Sequence, residues 1–362
     1  MKNKKIYFNQ YTGKPKGFSI IEFMIASLLS VIVLIAVGSG YFAARKVNDV
    51  AIARLNAQQD IRNLSNMIVH DARMAGDFGC FNLSNLGGAN IAVENELGQG
   101  NSILNLKDFL FSGTAGNTNA IKLSEGVKSI AQSKFSQIVT VNNFTAQSDA
   151  LVFQYGDGSP AITGLTSNKI EIEPAQDSIA PTLTANAPIA VSTCNTLSLH
   201  KVSGRSGNSI TLNGALPTSI SAKTALPEVS LTRYIVNVYV VGTLNGQQGL
   251  YRIQYGNGSW ETPQLLLPNI TGMTILYGYV KGCPSIDPAA ASSADENFNF
   301  TNQQLTTDAI RPLASVRLVL NGNNLAARGE LMANSASKES AGDVYIYNID
   351  ANIRGGNRCA NR

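Results

Sequence analysis

Lys16-Gly17-Phe18-Ser19-Ile20-Ile21-Glu22-Phe23-Met24 opens an apolar run that continues to Ala44. Between Phe18 and Ala44 a single charged residue, Glu22, stands in 27 positions. A bilayer core takes roughly 20 helical residues to cross, so the run is long enough to span one. Lys2, Lys4, Lys5, Lys14 and Lys16 precede it with no acid among them, and Arg45 and Lys46 follow it. Glu22 is the residue that needs explaining. A carboxylate in an apolar span costs about 2.5–3.5 kcal/mol at the membrane centre on insertion scales, and less near the interface. A plain signal anchor does not account for it. A cleaved secretory signal has a shorter apolar region of roughly 7–15 residues.

A short lysine-rich leader ending in Gly17, then Phe18, then Glu22 at the fifth position of an apolar helix, resembles the class III signal of type IV pilins and pseudopilins. That resemblance implies that a prepilin peptidase cuts between Gly17 and Phe18 on the cytoplasmic face. Phe18 then becomes the N-methylated first residue, and Glu22 the assembly residue. Further on, Asp71-Ala72-Arg73-Met74-Ala75-Gly76-Asp77-Phe78-Gly79-Cys80 is similar to a D-x-R-M-A-G-x-x-G-C segment of PilW-type minor pilins. Weaker similarities lie at Leu250-Tyr251-Arg252, at Val316-Arg317-Leu318-Val319-Leu320 and at Asn357-Arg358. The implied fold is α+β: a long amino-terminal helix packed on a mainly antiparallel β domain.

Composition sets the remaining bounds. The chain has 362 residues and a net charge of +4, but the leader holds five lysines, and its loss takes the charge to −1. The basic balance therefore belongs to the leader, and nucleic-acid binding is not indicated. Only 14% of residues are charged, which with the Asn, Ser, Thr and Gly content fits an exported, sheet-rich domain. Cys80, Cys194, Cys283 and Cys359 all follow the apolar run, so two disulfides are expected outside the cytoplasm. Three connectivities are open. We pair Cys80 with Cys194 and Cys283 with Cys359, because each bond then closes one region on itself. Without a CxxC spacing and with only His70 and His200 available, a zinc site is not expected, nor is a cofactor.

Four segments follow from these readings: a leader at 1–17, a transmembrane helix at 18–44, its amphipathic continuation at 45–76, and a β-rich periplasmic domain at 77–362. No proline falls between Pro15 and Pro160, so a helix from Phe18 to Arg73 would extend about 84 Å. Past Arg45, the residues Ala57, Ile61, Leu64, Ile68, Ala72 and Ala75 recur at spacings of three and four, one helical face that docks on the protein's own sheet. Arg54, Gln58, Arg62 and Asn66 line another face. Gly38 and Gly40 mark either a point where the helix bends or melts on assembly, or a site of close helix packing. Gly76 is suited to close the helix in the left-handed conformation.

Strands are expected at 137–141, 150–155, 169–172, 196–202, 209–212, 234–241, 250–255, 273–280, 316–320 and 344–349. Hairpin turns are expected at Asn213-Gly214, Asn245-Gly246, Asn257-Gly258 and Asn321-Gly322. Residues 82–120, 174–193 and 283–300 read as loops or insertions, and 303–310 as a short helix.

Catalytic signatures are missing from the sequence: no G-x-S-x-G, H-E-x-x-H, P-loop or G-x-G-x-x-G occurs. His70 reads as a surface-paired histidine beside Asp71, and His200 as a satisfied sheet residue. Asp157-Gly158-Ser159 reads as a turn, and Trp260 as a packed hairpin residue. An assembly protein rather than an enzyme is expected. By resemblance it inserts in the inner membrane, faces the periplasm, and joins other minor pilins and the major pilin on the inner-membrane assembly platform, ending at the pilus tip. Two alternatives remain open: a J-class pseudopilin of type II secretion, and a tip adhesin or DNA-uptake receptor.

Overall fold

With no proline to interrupt it, the first helix, α1, runs unbroken from Ile20 to Met74. A computed structural model of the chain describes residues 17–82, 93–95, 126–173, 179–280, 298–302, 313–323 and 344–353. Residues through Leu55 form one compact unit and those from Asn56 onward another. In the first, Ile20–Asp49 is a 30-residue stretch long and apolar enough to cross a membrane. Its apolar side chains face outward, with Leu28 63% and Val37 65% exposed. Gly38 and Gly40 continue the helix, and open space surrounds both.

In the second unit α1 becomes one-faced. Leu64, Ile68 and Ala72 are buried, as is Ala75 just beyond the helix, while Arg62 and Asn66 are exposed. The side chains of Arg54 and Ala57 lie outside the described residues. Gly76 closes the helix at φ +82°, a conformation that glycine adopts without a Cβ penalty. Its N–H donates to the Gln154 carbonyl at 2.8 Å.

A mainly antiparallel β domain follows. Strand Ser230–Leu244 is its axis, pairing with Gln247–Gly256, Ala150–Asp157, Pro188–Ser192 and Phe144–Ala146 within a 13-stranded sheet. The odd-numbered Tyr239 and Val241 face the cluster that holds Leu64, Ile68 and Ala72. The even-numbered Val236, Val238 and Val240 face a second cluster with Phe78, Phe135 and Ile138. Burial on both faces explains why this strand reads as a near-continuous apolar run. A third cluster gathers Ile170, Ile210 and Leu231. A four-stranded sheet, ordered Phe298–Thr301, Ile270–Val280, Leu313–Asn323, Val344–Asn352, adds Met273 and Val316 to the helix-facing cluster.

Several expectations need correction. Residues 137–141 are not a strand, since Phe135–Ile138 is a helical turn. Phe135 and Ile138 bury themselves at a spacing of three, which is helical. Within the expected loop 174–193, Pro188–Ser192 forms a fully buried strand. Proline is tolerated there because it stands first. Asn245-Gly246 and Asn257-Gly258 are the tight turns, with φ of 49°, 86°, 47° and 79°. Asn321-Gly322 instead lies inside a strand, with Asn321 opposite Ile346 and Gly322 opposite Tyr345. Asn213-Gly214 forms a bend after Ser209–Leu212 rather than a hairpin turn. In 82–120 the short strand Val93–Asn95 runs parallel to Leu197–Leu199. At the end of 283–300, Phe298–Thr301 pairs with Tyr277–Val280. Apart from Asn82, which pairs with Asp77, the rest of both regions, and 303–310, lie outside the described residues. Strands Val127–Ile130, Phe144–Ala146, Ile162–Leu165 and Gln264–Pro268 were not expected.

Candidate functional site: the helix start and its polar anchor

At the amino-terminal end of α1, Ser19 and Glu22 stand three residues apart. The Ser19 hydroxyl accepts the Ile21 N–H at 3.3 Å, and the Glu22 carboxylate accepts the Ser19 N–H at 3.2 Å. Together they form a capping box, which satisfies donors that a helix start otherwise leaves unpaired. Sequence reasoning gave Glu22 an assembly role and passed over Ser19, although S-x-x-E before an apolar run is a readable signal. Gly17 and Phe18 precede the helix. Phe18 is 90% exposed, and a Cβ added at Gly17 would meet nothing within 4 Å. Among the described residues, nothing packs against the peptide bond singled out for cleavage.

A second site, missed from the sequence, lies near the other end of α1. Asp71 is 2% exposed. It accepts the Tyr155 hydroxyl at 2.9 Å, the Tyr239 hydroxyl at 2.7 Å and Asn237 Nδ2 at 2.8 Å. The two tyrosines and the asparagine come from the paired strands Ala150–Asp157 and Ser230–Leu244. Hydrogen bonds to an ionised acceptor are shorter and stronger than neutral ones, so the cluster fixes the rotation of this part of the helix on the sheet. Burial, and next the charge of Asp71, push both tyrosine hydroxyls well above the usual phenol range. They thus remain donors at any physiological pH. His70 beside it is 66% exposed and 3.4 Å from Asp71 Oδ1.

The segment after Asp71 turns sharply. Gly79 sits at φ +82°, and a Cβ there would fall 2.6 Å from Ser230 Cβ. This close turn delivers Cys80 to Cys194, and the two are bonded with Cα atoms 4.6 Å apart. The bond closes a separation of 114 residues, worth about 4–5 kcal/mol in the chain-entropy account. Cys283 and Cys359 lie outside the described residues. Non-reducing peptide mapping should recover a Cys80–Cys194 peptide, and Cys80→Ser should lower unfolding stability by an amount of that order. A Cys80–Cys359 peptide would overturn the pairing.

The remaining candidates are structural. His200 is fully buried, with Nε2 2.7 Å from the Ser198 hydroxyl. Trp260 packs edge-on against Tyr255 at 5.3 Å and donates Nε1–H to the Ile138 carbonyl at 3.0 Å. Asp157 pairs with Arg233 at 3.2 Å. Among the described residues no group of three His, Cys, Asp or Glu side chains is placed to hold a metal. Comparison with protein-family models, with curated proteins and with solved structures finds no match to this chain.

Proposed function

We propose that this chain is a minor pilin of the type IV pilus, of the PilW type. In this reading it is an assembly protein and not an enzyme. A prepilin peptidase removes residues 1–17, and α1 holds the protein in the inner membrane with the β domain in the periplasm. There it joins other minor pilins in the complex that primes assembly, and it stays at the pilus tip above the major pilin. One observation carries the reading: the lysine-rich leader ends at Gly17-Phe18, and Glu22 stands in the first turn of an exposed, membrane-length helix. An apolar helix of this kind has two suitable solvents, lipid before assembly and the helices of neighbouring subunits afterwards. Glu22 gains a charged partner only after cleavage has created an amine at Phe18.

Processing provides the test. Intact mass and amino-terminal sequencing of the membrane-inserted protein should show a chain beginning at methylated Phe18. Gly17→Val should block the cut, because a peptidase must approach the glycine backbone closely. A mature chain that keeps Lys16-Gly17, or one that begins beyond Ala26, would refute the assignment.

A further inference from the structure

The disulfide between Cys80 and Cys194 ties the segment after α1 to the large sheet, and both of its residues are exposed. Their neighbours are anchored. Phe78 and Phe81, on either side of Cys80, are buried and stand opposite each other in the short ladder that also pairs Asp77 with Asn82. The Ser192 hydroxyl donates to the Phe78 carbonyl, and the Asp77 carboxylate accepts the Gly79 N–H at 3.1 Å. On the other side, Thr193 and Thr196 flank Cys194 and are buried. The Thr193 hydroxyl accepts the Asn195 N–H at 3.4 Å and the Thr196 N–H at 3.1 Å, and the Thr193 N–H donates to the Thr196 carbonyl at 2.9 Å.

Each half of the crosslink is thus held in place by contacts that involve no sulfur. Burial shields a disulfide from thiols until the protein unfolds, whereas an exposed one can be attacked in the folded state and is the labile kind. Cutting this bond would leave two accessible thiols on fixed turns, facing each other across Cα atoms that stand 4.6 Å apart when bonded. Neither turn depends on the bond for its shape, so the pair is set to close again.

We infer that Cys80–Cys194 is a redox-sensitive clasp, opened and closed in the folded protein by an external dithiol. One thiolate of the dithiol attacks a sulfur of the bond, forming a mixed disulfide and releasing the other cysteine as a thiolate. The second thiol of the dithiol then displaces the bound cysteine. The dithiol leaves as a disulfide, having given up two electrons, and its two protons end on Cys80 and Cys194. Closing runs the same exchange in reverse, with a disulfide as the oxidant. Opening removes the covalent link after α1 and leaves the Asp71 hydrogen bonds and the buried face of Leu64, Ile68 and Ala72 to hold the helix. Nothing in this depends on the pilus assignment, since only the helix end and the β domain take part.

The test uses the full chain in detergent. Millimolar dithiothreitol, or in a second arm a thioredoxin kept reduced, is added without denaturant, and free thiols are trapped with iodoacetamide at intervals. Peptide mapping follows Cys80 and Cys194 separately from Cys283 and Cys359. Cys80 and Cys194 should be alkylated within minutes while the fluorescence of Trp260, packed against Tyr255, stays that of the folded domain. The rate should be flat across low urea concentrations, because attack on the native state needs no unfolding. Removing the reductant and adding oxidised glutathione should restore the Cys80–Cys194 peptide. Opening by dithiothreitol alone assigns the clasp to small dithiols, and opening in both arms extends it to a protein dithiol. A bond that resists both reagents until denaturant is present overturns the inference. So does a rate that climbs steeply with urea, loss of the folded Trp260 signal in step with alkylation, or re-formation of a different pairing.

Discussion

A Glu22→Ala chain is expected to enter the membrane and lose its leader normally, and yet to leave cells with few surface pili. Removing the carboxylate takes a charge out of an apolar span, so membrane residence should be favoured. On the proposed pilin reading, assembly should fail because the Phe18 amine of an adjacent subunit loses its acidic partner within the helix bundle. Breaking a buried ion pair by deleting one member typically costs about 3–5 kcal/mol, since the other charge is left uncompensated. The capping box adds a control. Glu22 also accepts the Ser19 N–H, and a glutamine keeps that cap while losing the charge. Glu22→Gln should therefore be as defective as Glu22→Ala in pilus counts and in cross-linking to partner minor pilins. Normal piliation in Glu22→Gln beside a defect in Glu22→Ala would make the residue a helix cap and nothing more. Normal piliation in both would remove any assembly role.

The largest expected effect on the fold belongs to Asp71. Asp71→Ala should destabilise the β domain by about 3–5 kcal/mol, because three buried donors lose their acceptor and each such group costs roughly 1–3 kcal/mol. Tyr239→Phe, which removes one donor and leaves no orphan acceptor charge without other partners, should cost about 1–2 kcal/mol. The two substitutions touch one network, so the double variant should be less destabilised than the sum of the singles. Chemical denaturation of the full chain in detergent, followed through the single tryptophan Trp260, measures all three. An Asp71→Ala chain within about 1 kcal/mol of the parent would sink the account of Asp71 as the anchor of the helix.

Much of the helix was legible in advance, and the reasons are local. The run from Phe18 to Ala44 announces itself by composition, and Leu64, Ile68 and Ala72 by spacing. Asp71 stands three residues after Ile68 and four before Ala75, so its place on the buried face could have been read. Its role could not. Its partners lie 84, 166 and 168 residues away, and no local pattern brings Tyr155, Asn237 and Tyr239 together. The strongest strands were readable where apolar residues crowd, as along Tyr234–Val241. Pro188–Ser192 was not, because a leading proline reads as a loop signal until its place at the start of a strand is known. The same dipeptide also means different things: Asn245-Gly246 turns a hairpin, while Asn321-Gly322 is held straight by a neighbour on either side. Along the axial strand Arg233 pairs with Ile189 and Val236 with Tyr255, so Pro188–Ser192 and Gln247–Gly256 follow one another on a single edge, a register that sequence order does not disclose.

The bond between Cys80 and Cys194 also determines how the protein bears force. Cys80 follows the last residue of α1, Met74, by six positions, and Cys194 lies between two neighbouring strands of the large sheet, Pro188–Ser192 and Leu197–Ser206. A pull along α1 that breaks the hydrogen bonds of Asp71 is then transmitted covalently into the middle of that sheet. The loop of 114 residues between the two cysteines is bypassed, and at about 3.4 Å per extended residue it withholds roughly 390 Å of slack. The helix and the sheet are thus joined by a short tether, and the chain of the bypassed loop cannot be drawn out while the bond is intact.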